Sequence, residues 1–194
     1  MLKGRLLDVG CGNKPYATIL NCDEHVGIDV GLSPHNQSRF DRVFDGLTIP
    51  FGDATFDSVL CTEVLEHARE PRKLATEIGR VLKPGGYAFW TVPFVFPHHE
   101  QPYDFHRFTR YGIEELATTA GLSIITIQNR GGVLALLAQQ IDIAIGQLLS
   151  RRPFSDAVRW LAFPIMAFCL VLDRWRGRPD VLTPGWQLLL RKPA

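Results

Sequence analysis

The chain has 194 residues, of which 46% are hydrophobic and 21% are charged. This length suits one substantial hydrophobic core, so we expect a single domain over residues 1–194 rather than two enzyme domains. The 21 basic residues nearly balance the 20 acidic ones. Such a chain lacks the net positive electrostatic field that attracts a protein to the phosphates of a nucleic acid, so no nucleic-acid partner is expected.

The cysteines and the first residues indicate a compartment. Cys11, Cys22, Cys61 and Cys169 stand far apart in the sequence, without the paired spacing that zinc sites and redox motifs need. Free thiols favour a reducing compartment. The strand-like run Arg5–Val9 begins too early to leave room for a signal peptide. We therefore expect a cytoplasmic protein.

The first strand-like run ends in the turn Gly10-Cys11-Gly12. This pattern predicts a buried parallel strand that breaks sharply into a loop, where glycines let a ligand approach the backbone. A second strand-like run, residues 25–29, ends in Asp29, about 20 residues beyond Asp8. An acid at that distance can accept hydrogen bonds from the ribose hydroxyls of a nucleotide-like ligand.

A dinucleotide fold is the main competitor for this loop. Its Gly-x-Gly-x-x-Gly pattern needs a third glycine where Pro15 stands. Proline supplies neither the close approach nor a backbone N–H donor. A nicotinamide oxidoreductase is therefore disfavoured, while a purely structural turn at Gly10 and Gly12 remains an alternative.

The segment Leu6-Leu7-Asp8-Val9-Gly10-Cys11-Gly12 resembles the first motif of class I S-adenosylmethionine-dependent methyltransferases. Residues 45–51, 56–59, 63–67 and 80–86 match further motifs in the order expected of the small-molecule, type 11-like branch. Residues 93–121 show a looser likeness to bacterial members from surface-polysaccharide or lipid pathways. The resemblance implies a doubly wound, seven-stranded, mostly parallel α/β sheet of the Rossmann-like methyltransferase fold, with S-adenosyl-L-methionine as the cofactor.

The resemblance also implies how the methyl donor is held. The first motif would surround its methionine part, Asp29 would hold the ribose, Asp45 would accept from the adenine amino group, and residues after the fourth strand would line the methyl-transfer face. Two segments depart from the family pattern: residues 13–16 replace a glycine-containing tail, and residues 31–38 indicate a loop where a helix is common. The implied cofactor residues are Asp8, Gly10, Cys11, Gly12, Asp29, Asp45, Gly46, Leu47, Cys61, Thr62 and His67.

Helix and strand patterns alternate through the rest of the chain. Pro71 suits a first helical position, and the apolar helical face after it predicts a helix that Gly85-Gly86 stops. Residues 87–92 predict a strand, and Thr109 can cap a second helix. Residues 123–128 and 186–190 predict the last two strands, the final one antiparallel if the family topology holds.

Residues 97–107 follow the fifth strand, near the expected acceptor pocket. Displacement at a sulfonium mainly needs an aligned acceptor and excluded water, but a hydroxyl acceptor gains from a general base. The catalytic candidates are His98, His99, Asp104 and His106. Tyr103 and Arg107 are candidates for binding the acceptor, because the arginine fork suits a phosphate or carboxylate.

Two other interpretations of this segment were weighed. One is a loop whose side chains only hydrogen-bond locally. The other is a metal site, but the spacing within residues 97–107 matches no standard zinc or calcium pattern. Displacement at a sulfonium also needs no Lewis acid, so no metal is expected.

An apolar helical insertion, about residues 133–178, precedes the last strand. Residues 133–149 predict an amphipathic helix, and residues 160–172 are uncharged but interrupted by Pro164, too short for the roughly 20 residues of a membrane span. Flanking arginines and the tryptophans at both ends are typical of helices that lie in a membrane interface. This favours peripheral contact with the inner membrane face and a lipid-linked acceptor. A cover over the sheet or a homodimer contact would give the same apolar pattern.

The leading functional hypothesis is methyl transfer from S-adenosylmethionine to a small-molecule, glycan or lipid-linked acceptor. The alternative is a catalytically idle S-adenosylmethionine-binding partner protein, which keeps the pocket only to stabilise a complex. Methyl transfer in a cell extract would separate the two.

Overall fold

The computed structural model describes residues 2–31, 40–149, 155–176 and 182–194. Within these ranges the chain forms strands β1 Arg5–Val9, β2 Glu24–Asp29, β3 Arg42–Val43, β4 Phe56–Thr62, β5 Leu82–Pro93, β6 Ser123–Asn129 and β7 Gly185–Arg191. Its helices are α1 Pro71–Val81, α2 Arg110–Thr119, α3 Val133–Leu149 and α4 Ser155–Arg176.

The strands form one seven-stranded sheet in the order β3-β2-β1-β4-β5-β7-β6. The pairs β1/β2, β1/β4, β2/β3 and β4/β5 are parallel. Lys192, just beyond β7, exchanges hydrogen bonds with Gly85 and Gly86 near the start of β5 (2.9 and 3.0 Å), so β5 and β7 run antiparallel. The predicted fold class is confirmed.

By contacts the chain divides into two compact units. The first comprises residues 1–93, 97–128 and 187–194. It holds most of the sheet with α1 and α2, and its core includes the fully buried Leu6, Val59 and Trp90. The second comprises residues 94–96 and 129–186, and it contains the predicted insertion. The expectation of a single domain with a helical insertion stays a prediction.

Local signals mark the starts of both helices in the first unit. Pro71 occupies the first turn of α1, and Thr109 caps α2 by accepting a hydrogen bond from Gly112 N at 3.1 Å. The predicted end of α1 was wrong. The helix stops at Val81, and Leu82 already pairs with Phe56 as the first residue of β5. A long-range strand pairing therefore ends the helix before Gly85 is reached.

The helix pair of the second unit is joined by a buried carboxylate. Asp173 of α4 accepts hydrogen bonds from Gly132 N (2.9 Å) and Ala135 N (2.6 Å) at the start of α3, where unpaired backbone donors favour an acid. The bounds of α3 match the prediction. Helix α4 continues through Pro164. No helix among the described residues has the length and apolarity needed to cross a membrane.

Two predicted features cannot be compared with the fold. The loop expected at residues 31–38 lies, from residue 32 onward, outside the described residues. Arg151, Arg152 and Arg178, which flank the insertion in the sequence, also lie outside them.

Candidate functional site

The loop after β1 is fastened to the end of β2. The two strands are parallel, with Val9 opposite Ile28. The backbone N–H groups of Gly10 and Cys11 both donate to the Ile28 carbonyl, at 2.8 and 3.1 Å. Asp8 and Asp29 therefore lie at the same edge of the sheet, where ligands bind in open α/β folds.

Two glycines shape this loop. Gly10 has φ +66°, and a Cβ there would lie 2.3 Å from Val64 Cγ2, which is closer than carbon atoms can approach. Gly12 has φ +48°, and nothing lies within 4 Å of the position that its Cβ would take. The backbone at Gly12 is thus bare toward open space and can be approached by a ligand.

Asp29 ties the ends of the two strands together. Its Oδ2 accepts a hydrogen bond from Gly12 N (2.9 Å), and its Oδ1 accepts one from Gly31 N (3.0 Å). The residue is 5% exposed and lines a cavity. A carboxylate has about four lone-pair positions, so it can accept from a ligand as well as from backbone N–H groups.

The cavity has a volume of ≈ 600 Å³, within the usual range for small-molecule sites. Its wall includes Asp45, whose Oδ1 accepts from Leu47 N (2.8 Å) and Thr48 N (2.6 Å). These two backbone donors hold the pKa of Asp45 below its ordinary value. The cavity brings together eight of the predicted site residues: Gly10, Gly12, Asp29, Asp45, Gly46, Leu47, His67 and Tyr103.

A second cavity, of ≈ 340 Å³, adjoins the same loop and is lined by Asp8, Cys11 and Thr62, and also by Gly10 and Gly12. Asp8 Oδ2 lies 2.9 Å from His25 Nε2. Burial raises the pKa of Asp8 above its ordinary value, although His25 opposes this. Burial also raises the pKa of the Cys11 thiol to about 12, so the thiol is neutral at pH 7.

Cys61 lies elsewhere. Its side chain is fully buried between Val9 and Trp90 of the neighbouring strands and lines neither cavity. Burial raises its pKa well above the ordinary value. Its cofactor role stays a prediction.

The loop at residues 97–107 is held by an ion pair. Arg107 donates to both carboxylate oxygens of Asp104, at 2.6 and 2.8 Å, and to the carbonyls of Pro97 and His106. The Asp104 side chain is 3% exposed. The guanidinium holds the pKa of Asp104 well below its ordinary value, which makes this carboxylate a weak proton acceptor and a fastening for the loop.

A buried carboxyl and two histidines meet beside the cavity. Glu66 Oε1 lies 3.8 Å from His67 Nε2 and 3.9 Å from His99 Nε2. The two imidazole rings are 4.7 Å apart and nearly perpendicular. Burial, assisted by the neighbouring Glu63, raises the pKa of Glu66 to about 8. His67 Nδ1 lies 2.8 Å from the Tyr103 carbonyl oxygen and donates to it.

The other loop candidates are placed less favourably. The His98 side chain is 82% exposed. His106 lines neither cavity, and its backbone N–H donates to the Glu66 carbonyl at 3.1 Å. The catalytic roles of His98 and His106 stay predictions. Acceptor binding by Arg107 also stays a prediction, and its guanidinium is paired with Asp104.

Glu63 and Glu66 lie at the site but are not among the residues predicted for it. Glu63 lines both cavities and, directly after β4, has φ +53°. Both acids belong to the family-like motif at residues 63–67. The signal that could have found them is an acid directly after a buried parallel strand, at the edge where ligands bind.

Known proteins resemble the chain over these elements. Residues 7–90 match the family described as "Methyltransferase domain". The ubiquinone biosynthesis O-methyltransferase of Pectobacterium atrosepticum is 28% identical over 101 residues, which cover 45% of this chain and 42% of that protein. The protein of the same name from Nitrosococcus oceani is 28% identical over 158 residues, 66% of each chain. The chain thus spans less than half the length of the first of these relatives.

Solved structures share the fold. The crystal structure of the [4+2]-cyclase SpnF superposes with a TM-score of 0.64 at 21% identity, over 100% of this chain and 76% of that one. The Haemonchus contortus phosphoethanolamine N-methyltransferase 2, in complex with phosphomonomethylethanolamine and S-adenosylhomocysteine, superposes with a TM-score of 0.58 at 20% identity, over 100% and 50%. These likenesses concern the fold.

Proposed function

We propose that the chain is a class I S-adenosylmethionine-dependent methyltransferase, which transfers the methyl group of S-adenosylmethionine to a hydroxyl of a small molecule. The match of residues 7–90 to the methyltransferase domain family supports this proposal. One observation carries this proposal. The Asp29 carboxylate joins Gly12 and Gly31 at the rim of a cavity of suitable size. A carboxylate beside bare backbone, at the tips of two parallel strands, suits an adenosyl group.

The residues present fit the donor. Asp29 offers both oxygens to the ribose hydroxyls, and the open space beside Gly12 leaves room for a group lying against the backbone. Val30, Phe44 and Leu47 give the same cavity apolar surface for the adenine ring. The second cavity, with Asp8 and Thr62, offers polar groups to the amino-acid part of the donor.

In this proposal the acceptor lies against the wall formed by His67 and, from the loop at residues 97–107, by Glu100, Gln101, Tyr103 and Phe105. S-adenosylmethionine, when bound, supplies a methyl group on a sulfonium that is an excellent leaving group. The chain then has to hold the acceptor in line, exclude water and take the hydroxyl proton. Tyr103 and Phe105 line the cavity and offer ring surface to the acceptor. The cluster of Glu66, His67 and His99 is the place where the proton would be removed.

A hydroxyl acceptor is supported by the similar relatives, whose names describe O-methyltransferases of ubiquinone biosynthesis. We further propose a lipid-linked acceptor that is reached at a membrane surface. Helices α3 and α4 expose large apolar side chains, among them Leu148, Phe163 and Trp175. Large exposed apolar side chains are typical of helices that contact a membrane interface.

The test is transfer of label from S-adenosylmethionine with a tritiated methyl group. The chain is incubated with a bacterial membrane extract and with a desalted soluble extract, and each reaction is then partitioned between water and organic solvent. The proposal predicts label in the solvent-extractable fraction of the membrane reaction. Label in water-soluble small molecules would support the methyltransferase activity and refute the lipid-linked acceptor. Binding of the donor without transfer in either extract would support the idle partner protein.

A further inference from the structure

Glu66, His67 and His99 bring three potential metal ligands together. One atom from each, a carboxylate oxygen and two ring nitrogens, all lie within 4.8 Å of one another. The separations from Glu66 Oε1 to the two Nε2 atoms, 3.8 and 3.9 Å, are too long for hydrogen bonds. Two ligands of a tetrahedral ion with bonds of about 2.1 Å are about 3.4 Å apart. The two separations from Glu66 exceed this value by a few tenths of an ångström, and the three ligand atoms together lie within 4.8 Å, so the side chains would draw closer together around a bound ion.

The buried carboxyl at the centre of the cluster lacks partners. Glu66 is 0% exposed. Among the residues that the structure describes, neither of its carboxyl oxygens has a hydrogen-bond partner. A buried polar group without partners costs free energy, and native proteins rarely retain one without a reason. A bound cation would satisfy this carboxyl.

The second ring nitrogen of His67 is oriented as in known metal sites, whereas that of His99 lies near a carboxylate but beyond hydrogen-bond distance. His67 Nδ1 donates to the Tyr103 carbonyl (2.8 Å), which leaves Nε2 as the lone-pair nitrogen facing Glu66. His99 Nδ1 lies 3.5 Å from Asp104 Oδ2, and Arg107 fixes that carboxylate. Metal-binding histidines almost always donate their second ring N–H to a carbonyl or a carboxylate.

We propose that Glu66, His67 and His99 bind one divalent transition-metal ion of the Zn²⁺ class. Zn²⁺ and similar ions bind well to two imidazoles and one carboxylate, whereas Mg²⁺ and Ca²⁺ prefer oxygen ligands. His67 lines the large cavity, so the metal site adjoins the space that we assign to the acceptor. This departs from our sequence-based expectation of no metal.

The position suggests a use for the ion, and this part rests on the proposed function. A cation beside an acceptor hydroxyl lowers the pKa of that hydroxyl and orients its oxygen. With the ion bound, the two histidines would be ligands rather than bases, so the hydroxyl proton would leave to solvent. The oxygen would form its bond to the methyl carbon as the carbon–sulfur bond breaks, and S-adenosylhomocysteine would be the leaving group. Metal binding, in contrast, requires only the three residues and can be tested alone.

The test is a calorimetric titration of the chelator-treated chain with ZnCl₂, with a thermal melt before and after the metal is added. Wild type should bind one ion per chain and melt at a higher temperature with Zn²⁺. Glu66→Gln, which keeps the size of the side chain, and His99→Ala should each weaken binding at least about tenfold. His98→Ala is the matched control, because His98 is adjacent in sequence but 82% exposed, and it should bind like wild type.

The outcomes separate the two proposals. No stoichiometric binding by wild type, or equal weakening by His98→Ala and His99→Ala, would overturn the metal site. A second titration with S-adenosylhomocysteine, with and without Zn²⁺, reports on the donor site. Donor binding without Zn²⁺ binding would refute the metal site and leave the methyltransferase proposal standing. Zn²⁺ binding without donor binding would refute the methyltransferase proposal and leave the metal site standing.

Discussion

Two regions of the first unit, the proposed donor end and the proposed acceptor end, differ in how the chain builds them. The donor end, residues 10–12 with Asp29, comes from two adjacent parallel strands and is fixed by hydrogen bonds from backbone N–H groups to the Ile28 carbonyl and to the Asp29 carboxylate. The acceptor end, residues 66–67 with the loop at 97–107, joins segments that are distant in sequence. Backbone N–H groups of residues 105 and 106 donate to the Glu66 carbonyl, and an ion pair between Arg107 and Asp104 holds the loop itself. The acceptor end thus depends on an ion pair within a loop, whereas the donor end depends on the pairing of neighbouring strands. Substitutions should therefore affect the two ends independently.

The largest effect is expected at the donor end, from Gly10→Ala. The new Cβ would lie 2.3 Å from Val64 Cγ2, on a backbone with φ +66°. Strain and overpacking together should lower the free energy of unfolding by about 3 kcal/mol. Gly12→Ala has a similar φ but open space, so it should cost only about 1 kcal/mol. Urea unfolding measures both. Equal losses would show that the contact with Val64 does not matter, and Val64→Ala should partly rescue Gly10→Ala.

The next effect is at the acceptor end. Asp104→Asn removes the charge that faces Arg107 in a nearly buried pair, and it should lower the free energy of unfolding by about 2 kcal/mol. Asp53→Asn is the matched control, because Asp53 pairs with Arg80 but is 78% exposed, and exposed pairs contribute less than about 1 kcal/mol. The affinity of Asp104→Asn for S-adenosylhomocysteine should stay within about twofold of wild type. A large loss of donor affinity would contradict the independence of the two ends.

The same pair predicts a dependence on pH. Arg107 lowers the pKa of Asp104 below its ordinary 3.8, so the unfolded chain binds this proton more tightly than the folded one. The stabilisation is complete above the unfolded pKa and is lost as the pH falls through the folded pKa. The gap in stability between wild type and Asp104→Asn should therefore be constant near neutrality and narrow below about pH 4. Unfolding curves at several pH values measure it. A stability gap that widens in acid would show that the charge of Asp104 is not the cause of the difference.

The smallest effect concerns the exposed helices. Trp175 is 84% exposed on α4, and Trp175→Ala should weaken sedimentation with vesicles of phosphatidylcholine and phosphatidylglycerol about fivefold, or about 1 kcal/mol. Tyr111→Ala removes an aromatic side chain that is 78% exposed on α2 and should change nothing. If both variants sediment like wild type, or if wild type does not sediment, the membrane contact of residues 133–178 is refuted.

The comparison between the two ends also explains what the sequence could predict. The bounds of β1 and α3 were predicted to the residue because strand and helix periodicity are local properties. The donor end could also be predicted from the sequence, because its loop follows the first strand and Asp29 ends the second. The end of α1 was missed because the pairing of Leu82 with Phe56 is not visible in the local pattern.

The acceptor end was only partly visible for a similar reason. Ligand spacing within residues 97–107 predicts no metal site, whereas the structure brings His99 of that loop together with Glu66 and His67. Asp104 was a reasonable base by residue type, but its contact with Arg107 determines its protonation. Cys61 follows the motif in the sequence, yet pairing on both sides of β4 buries it in the sheet. In each case, contacts between distant segments decide what a residue can do.

The central claim is that the tips of β1 and β2 together hold one adenosyl group, and the most direct test is calorimetric titration with S-adenosylhomocysteine. Wild type should bind one molecule per chain. Asp29→Ala should weaken binding about 100-fold, as expected for the loss of two hydrogen bonds to a charged group, whereas Asp23→Ala, at an exposed residue just before β2, should bind like wild type. Equal affinity of wild type and Asp29→Ala, with both folded, would contradict the account.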